Sequence, residues 1–230
     1  MERSQEESRE GAKDVIVHDI DQRSEAWHQL RLGRVTSSCA SDMLATLKSG
    51  KGEAAGRRNL RVRLVLERIV GRSCESDFQS AAMRGGHERE ADAQALYEAL
   101  TGRILHTTGF VAHDSLMAGA SPDGYVGDWE GLVEAKCPIP ATHLDYLKSG
   151  QVPGEYLKQV HHQLWITGAQ WCDWLSYSPE FPEPIQVKLV RIKRDEAEIA
   201  AYELLVRQFL SEVERELEGV QQLMVVPAVA

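Results

Sequence analysis

Three residues have the types and spacing for metal-assisted hydrolysis. Asp123 lies in Ser121-Pro122-Asp123-Gly124, and Glu134 and Lys136 lie in Glu134-Ala135-Lys136-Cys137-Pro138, at the end of the apolar stretch Gly131-Leu132-Val133. In a strand, residues i and i+2 project from one face. A strand over 132–136 therefore sets Glu134 beside Lys136, with Asp123 able to fold back against both. Two acids and a base at a strand end can hold a divalent metal and position a water, the minimal apparatus for cutting a phosphodiester bond. Each piece also has an ordinary reading: Asp-Gly is a common turn, and Glu-x-Lys often marks a solvated strand face.

The elements that must position these residues follow from periodicity and caps. A short helix is predicted over 24–32, capped by Ser24, with Trp27, Leu30 and Arg31 turned inward. Thr36-Ser37-Ser38 offers a second cap before 39–44, and 48–52 reads as a loop. Leu60, Leu64, Val65 and Ile69 give 59–70 helical spacing. A helix over 87–100 turns Ala91, Ala95, Leu96 and Leu100 to one side and ends at Thr101-Gly102. Strands are predicted over 108–111, 117–120, 125–126 and 132–135, a helix over 156–167, and strands over 171–177 and 185–192. A long amphipathic helix over 195–217 turns Ile199, Tyr202, Val206, Phe209 and Val213 inward. The succession implies an α/β fold with a mixed central sheet and helices on both sides.

The 230 residues, 43% of them hydrophobic, suit one domain over 15–230 behind a charged, disordered lead over 1–14. No apolar run approaches the roughly 20 residues that span a bilayer, so a cytoplasmic location is expected. Cys39, Cys74, Cys137 and Cys172 show no Cys-x-x-Cys pair, which speaks against zinc and iron–sulfur sites and for reduced, partly buried thiols. Cys137 draws notice because it adjoins Lys136. The net charge of −9 leaves nucleic acid open, because binding depends on where charge lies and 57–72 reads RRNLRVRLVLERIVGR, a small basic face. His161 and His162 are adjacent on a helix, about 100° apart, so they cannot share an ion and are expected on its surface. Trp27, Trp165, Trp171 and Trp174 are expected in the core rather than stacked on bases.

Four stretches together resemble the PD-(D/E)XK nuclease superfamily, and within it the phage lambda exonuclease, or YqaJ-like viral recombinase, family. They are Trp27-His28-Gln29-Leu30-Arg31-Leu32-Gly33 with Thr36 and Ser38; Gly86 with Glu90; Ser121-Pro122-Asp123-Gly124 through Lys136-Cys137-Pro138; and Tyr156 with Gln159-Val160 and Trp165. The resemblance implies a restriction-endonuclease-like core and two Mg²⁺ ions, with Mn²⁺ able to substitute. The ions would be held by Asp123, Glu134, the Ala135 carbonyl and Glu90. It implies that Lys136 lies beside the attacking water and that Gln159 helps position water or phosphate. Arg31, Ser38 and Ser121 match positions that bind a terminal 5′-phosphate. The implied activity is 5′→3′ digestion of double-stranded DNA ends to 3′ single strands for recombination, with a single-strand annealing protein as partner and a trimeric ring as assembly. Two rival readings share the fold: an endonuclease or RecB-like single-strand nuclease, and a catalytically silent DNA-binding module.

Overall fold

A computed structural model describes residues 15–47, 50, 52–74 and 89–225. The expected lead over 1–14, Gly86 and the first residues of the helix predicted from 87 lie outside the described residues, as does most of the 48–52 loop. The class is α/β, as expected, but the strands form two sheets rather than one. The first has four strands in the order β1 (Val15–His18), β4 (Phe110–His113), β5 (Ala118–Ala120) and β2 (Val35–Thr36); its β2–β5 pair is parallel and the rest antiparallel. The second has five: β3 (Leu105–His106), β6 (Gly124–Val126), β7 (Gly131–Lys136), β8 (Trp171–Tyr177) and β9 (Val187–Lys193). Here only β7 and β8 run parallel. A parallel pair requires a crossover, supplied by two helices, α5 (Pro140–Ser149) and α6 (Gly154–Thr167).

The remaining helices are α1 (Glu25–Arg31), α2 (Ala40–Met43), α3 (Ala55–Val70), α4 (Glu90–Thr101) and α7 (Glu196–Val225). Ser24 caps α1, its Oγ accepting the Trp27 amide at 3.2 Å. Four elements have no counterpart in the periodicity: β1, the two-residue strands β2 and β3, and α5. β1 is four residues long and gains its partner only by pairing with β4. α5 carries Pro at its first turn and Gly150 in a left-handed cap, but only His143 along it is buried, so its apolar signal is weak.

The large core joins α3, α6 and α7 through Leu60, Leu64, Leu164, Trp165, Val206 and Phe209, and the predicted inner face of α7 is buried at all five positions. A second core joins α4 to β7 and β8. There the predicted face of α4 is corrected: Ala93 and Tyr97 are buried, whereas Ala91 and Ala95 are exposed and Leu100 is 60% exposed. Tyr97 turns inward because its hydroxyl donates to buried Asp173 at 2.9 Å, and Asp173 is also gripped by Arg191 at 2.8 and 2.7 Å.

Two further expectations change. His162 is fully buried, its ring nitrogens bonded to the Tyr202 hydroxyl at 2.7 Å and the Gly119 carbonyl at 3.1 Å, and burial pushes its pKa down to about 3. It is a neutral core residue, while His161 stays partly exposed beside Glu198. The basic face of α3 is largely neutralised. Arg57 meets Glu53 and Glu212 at 3.1 and 2.5 Å, Arg61 meets Glu53 and Glu216, and Arg68 meets Glu214 at 2.6 Å. These pairs bind α3 to the acidic α7 rather than offering a nucleic-acid surface. No helix among the described residues is long and apolar enough to cross a membrane.

Candidate active site

The β6–β7 hairpin builds the centre of the site. Its register pairs Gly124 with Val133, so Asp123, one residue outside the ladder, comes opposite Glu134. Asp123 Oδ2 accepts the Ala135 amide at 2.7 Å. The loop before β6 is tied from two other elements. Gln22 Nε2 donates to the Thr108 and Pro122 carbonyls at 2.9 and 3.0 Å, and Gln94 Nε2 of α4 donates to the Asp123 carbonyl at 3.1 Å.

Glu134 is 1% exposed and fully engaged. Its Oε1 receives Lys136 Nζ and Gln159 Nε2, the latter at 2.6 Å; its Oε2 receives Gln163 Nε2 at 2.5 Å. Gln159 thus lies against the Glu134 carboxylate. Gln163 does too, and the sequence reading passed over it. The available signal was spacing, because residues i and i+4 share a helix face. Lys136 Nζ also lies 5.2 Å from the Tyr156 ring centroid, and that ring stacks on Trp174.

Burial, and then the neighbouring Glu134 carboxylate, push the Asp123 carboxyl well above its ordinary range. Burial alone would lower the Lys136 pKa, but the Glu134 and Asp123 charges more than offset it, so the ammonium holds its proton more tightly than a free lysine. Burial pushes the Cys137 thiol up to about 12, so its nearness to Lys136 does not yield a reactive thiolate.

Glu90 opens α4 at the edge of this group, and its charge contributes to the upward shifts of both Asp123 and Cys137. Its Oε2 pairs with Arg23 at 2.6 Å. Arg23 sits at φ +70°, a left-handed conformation uncommon for a side chain with a Cβ. In this arrangement, no three acidic, histidine or cysteine side chains among the described residues close on one point. The donor set nevertheless suits a hard divalent cation. Burial and the charges of Glu134 and Glu90 disfavour the Asp123 anion, a cost that a cation would relieve, and Gln163 Oε1 is buried without a hydrogen-bond partner.

A second cluster adjoins the first through Ser121. Trp27 Nε1 donates to Ser121 Oγ at 2.8 Å, and the Arg31 guanidinium lies over the Trp27 ring at 4.0 Å. Arg31 Nη2 reaches Ser38 Oγ at 3.3 Å and Thr36 Oγ1 at 3.5 Å. The three residues matched to phosphate binding, Arg31, Ser38 and Ser121, are thus joined through one indole. Trp27 is half-buried and links the two clusters, unlike Trp165, Trp171 and Trp174, which lie in the core as expected.

The model of the YqaJ-like viral recombinase domain matches residues 26–170. Among solved structures, the chain is similar to an alkaline exonuclease from Laribacter hongkongensis. The two are 40% identical over 86% of this chain and 97% of that one, with a TM-score of 0.78. The same exonuclease in complex with dAMP superposes with a TM-score of 0.79. A phage-related exonuclease from Haemophilus somnus shares the fold at 13% identity, with a TM-score of 0.64 over 81% of this chain and 96% of that one. No curated protein matches the chain. The chain belongs to the YqaJ-like viral recombinase family and carries the restriction-endonuclease-like fold of its exonucleases.

Proposed function

We propose that this protein is a deoxyribonuclease that digests double-stranded DNA from 5′ ends in Mg²⁺, leaving 3′ single strands for recombination by annealing. Family membership and the similarity to an alkaline exonuclease support the nuclease class. The observation that carries the finer reading is the Trp27–Ser121 hydrogen bond, which sets the Arg31 and Ser38 cluster two residues from Asp123. Arginine forks onto phosphate and hydroxyls donate to its oxygens. A terminal phosphate seated there would bring the adjoining diester toward the acidic group.

Asp123, Glu134, the Ala135 carbonyl and Glu90 are the residues that would hold two Mg²⁺ ions, with Mn²⁺ as a substitute. When bound, the ions supply charge neutralisation of the pentavalent phosphate and stabilise the leaving oxygen. Glu134 is held for this role by Gln159 and Gln163. Lys136 orients the attacking water and balances developing negative charge. A single-strand annealing protein as partner and a trimeric ring belong to the same reading and rest on family likeness.

The test is digestion of a linear duplex labelled at either end, with and without a 5′-phosphate, beside a closed circle. Phosphate-stimulated loss from 5′ ends with the circle spared is expected. Cutting of the circle would replace this reading with an endonuclease. Absence of cutting in both Mg²⁺ and Mn²⁺ would leave a DNA-binding module.

A further inference from the structure

We infer that Arg23 is a positioning residue that yields Glu90 to a divalent cation and turns its guanidinium to a phosphate of the DNA strand in the same groove. This rests on the reading above in which Glu90 holds a metal. Arg23, Glu90 and Asp123 line one groove of about 820 Å³. Asp19 and Asp21 add to its acidic lining, and Arg23 is the one lysine or arginine among its described lining residues. A groove of that charge repels a phosphodiester backbone, so the placing of its single guanidinium governs how a strand can lie there.

The chain mounts Arg23 in a strained conformation. The Ser24 amide closes a turn on the Asp21 carbonyl at 3.2 Å, and Arg23 is the third residue of that turn, at φ +70°. Glycine fills such a position without strain, whereas an arginine does not. Strain of this kind clusters at functional sites. Both flanks are fixed, since Gln22 is bonded to the Thr108 and Pro122 carbonyls and Ser24 caps α1. Residue 23 therefore sits at the joint between the Asp123 loop and the helix that carries Trp27 and Arg31. Its side chain is 49% exposed, so the guanidinium can swing while the backbone stays in place. At present Arg23 Nη2 meets Glu90 Oε2 at 2.6 Å. A guanidinium and a divalent cation on one carboxylate would set two positive charges side by side. An exposed ion pair is weak, so Arg23 is the partner that gives way. A phosphate then offers it a bidentate acceptor.

The experiment uses Arg23→Gln, Arg23→Gly, Arg23→Lys and Glu90→Gln beside wild type, with thermal midpoints as a folding check. Arg23→Gly should stay folded, because glycine adopts the positive φ freely. Mn²⁺ is first titrated calorimetrically into each protein without DNA. Its Kd should tighten roughly threefold or more in Arg23→Gln and Arg23→Gly, the scale of one exposed ion pair, and stay near wild type in Arg23→Lys. Duplex binding is then read by fluorescence anisotropy over a salt series, in Ca²⁺ and in EDTA. In Ca²⁺ the slope of log K against log salt should fall by about 0.9 in Arg23→Gln, the value for one lost phosphate contact. In EDTA the slope should not change. Wild-type Mn²⁺ affinity in both Arg23→Gln and Arg23→Gly would overturn the inference, as would an unchanged slope in Ca²⁺. An equal loss of slope in EDTA would also overturn it, making Arg23 a fixed backbone contact. Unchanged Mn²⁺ binding in folded Glu90→Gln would remove Glu90 from the metal-holding residues, and this inference with it.

Discussion

Asp123 Oδ2 accepts the amide of Ala135 at 2.7 Å, so the carboxylate of the first motif half is bonded to the backbone between Glu134 and Lys136 of the second. The geometry of the acidic group is thus set by one hairpin. β6 and β7 fix the register, and the Asp123 side chain locks the end of the ladder. α6 then delivers two glutamines to Glu134 from across the sheet. The buried carboxylate is held by three donors, which leaves little rotamer freedom to be lost when substrate arrives.

Lys136→Ala should abolish hydrolysis, by at least about 10²-fold in kcat, because it removes a preorganised cation from the reacting phosphate. Binding of duplex DNA, read by fluorescence anisotropy, should survive. Substantial cleavage by a well-folded Lys136→Ala protein would discard the proposed mechanism.

Gln163→Ala tests the less obvious of the two clamps. Gln163 is fully buried and its amide holds Glu134 Oε2 at 2.5 Å. Loss of a ligand's supporting partner typically costs about 10–100-fold in metal affinity or activity. Calorimetric titration with Mn²⁺ should show weakened binding in step with kcat, and Gln159→Ala should behave similarly. Unchanged metal affinity in both variants would show that the glutamines do not orient Glu134.

The α3–α7 clamp gives a pH prediction. Burial would raise the Glu212 pKa, but the hydrogen bond and charge of Arg57 outweigh it, so the folded-state value lies below the ordinary 4.5. A depressed carboxyl stabilises the fold above its unfolded pKa and loses that contribution as pH falls through the folded value. Glu212→Gln should therefore lower the thermal midpoint at pH 7, corresponding to up to about 1 kcal/mol for a partly exposed pair. The gap from wild type should close in scans toward pH 3. A constant gap across that range would mean the pair does not carry the effect.

Gly119→Ala should be strongly destabilising. A Cβ there would lie 2.2 Å from the Phe110 ring and 2.8 Å from the Val111 carbonyl, and the Gly119 carbonyl is a partner of buried His162. Overpacking of this kind costs about 1–3 kcal/mol or more. Urea unfolding of the variant beside wild type would read it directly, and a midpoint within error of wild type would contradict the packing described for β5.

Local chemistry made the grouping of Asp123, Glu134 and Lys136 legible in the chain. Glu134 and Lys136 share a face because strands have period two, and Asp123 precedes a glycine that opens the partner strand. Elements with strong periodicity were equally legible: β8 has the predicted bounds, and the inner face of α7 is the one its spacing describes. Tertiary structure decided the rest, because those outcomes depend on partners distant in sequence. The buried face of α4 follows Tyr97, whose polar end needs Asp173 from β8, 76 residues away. The arginines of α3 read as a basic surface until α7 neutralises them from about 150 residues downstream. His162 reads as a surface residue until Tyr202 and Gly119 satisfy both ring nitrogens and make its burial tolerable. Gln163 gains its place only when α6 lies across β7. Period and composition describe what a segment prefers by itself; they do not record which distant group will meet its charge or its hydrogen bond, and that pairing decides what can be buried.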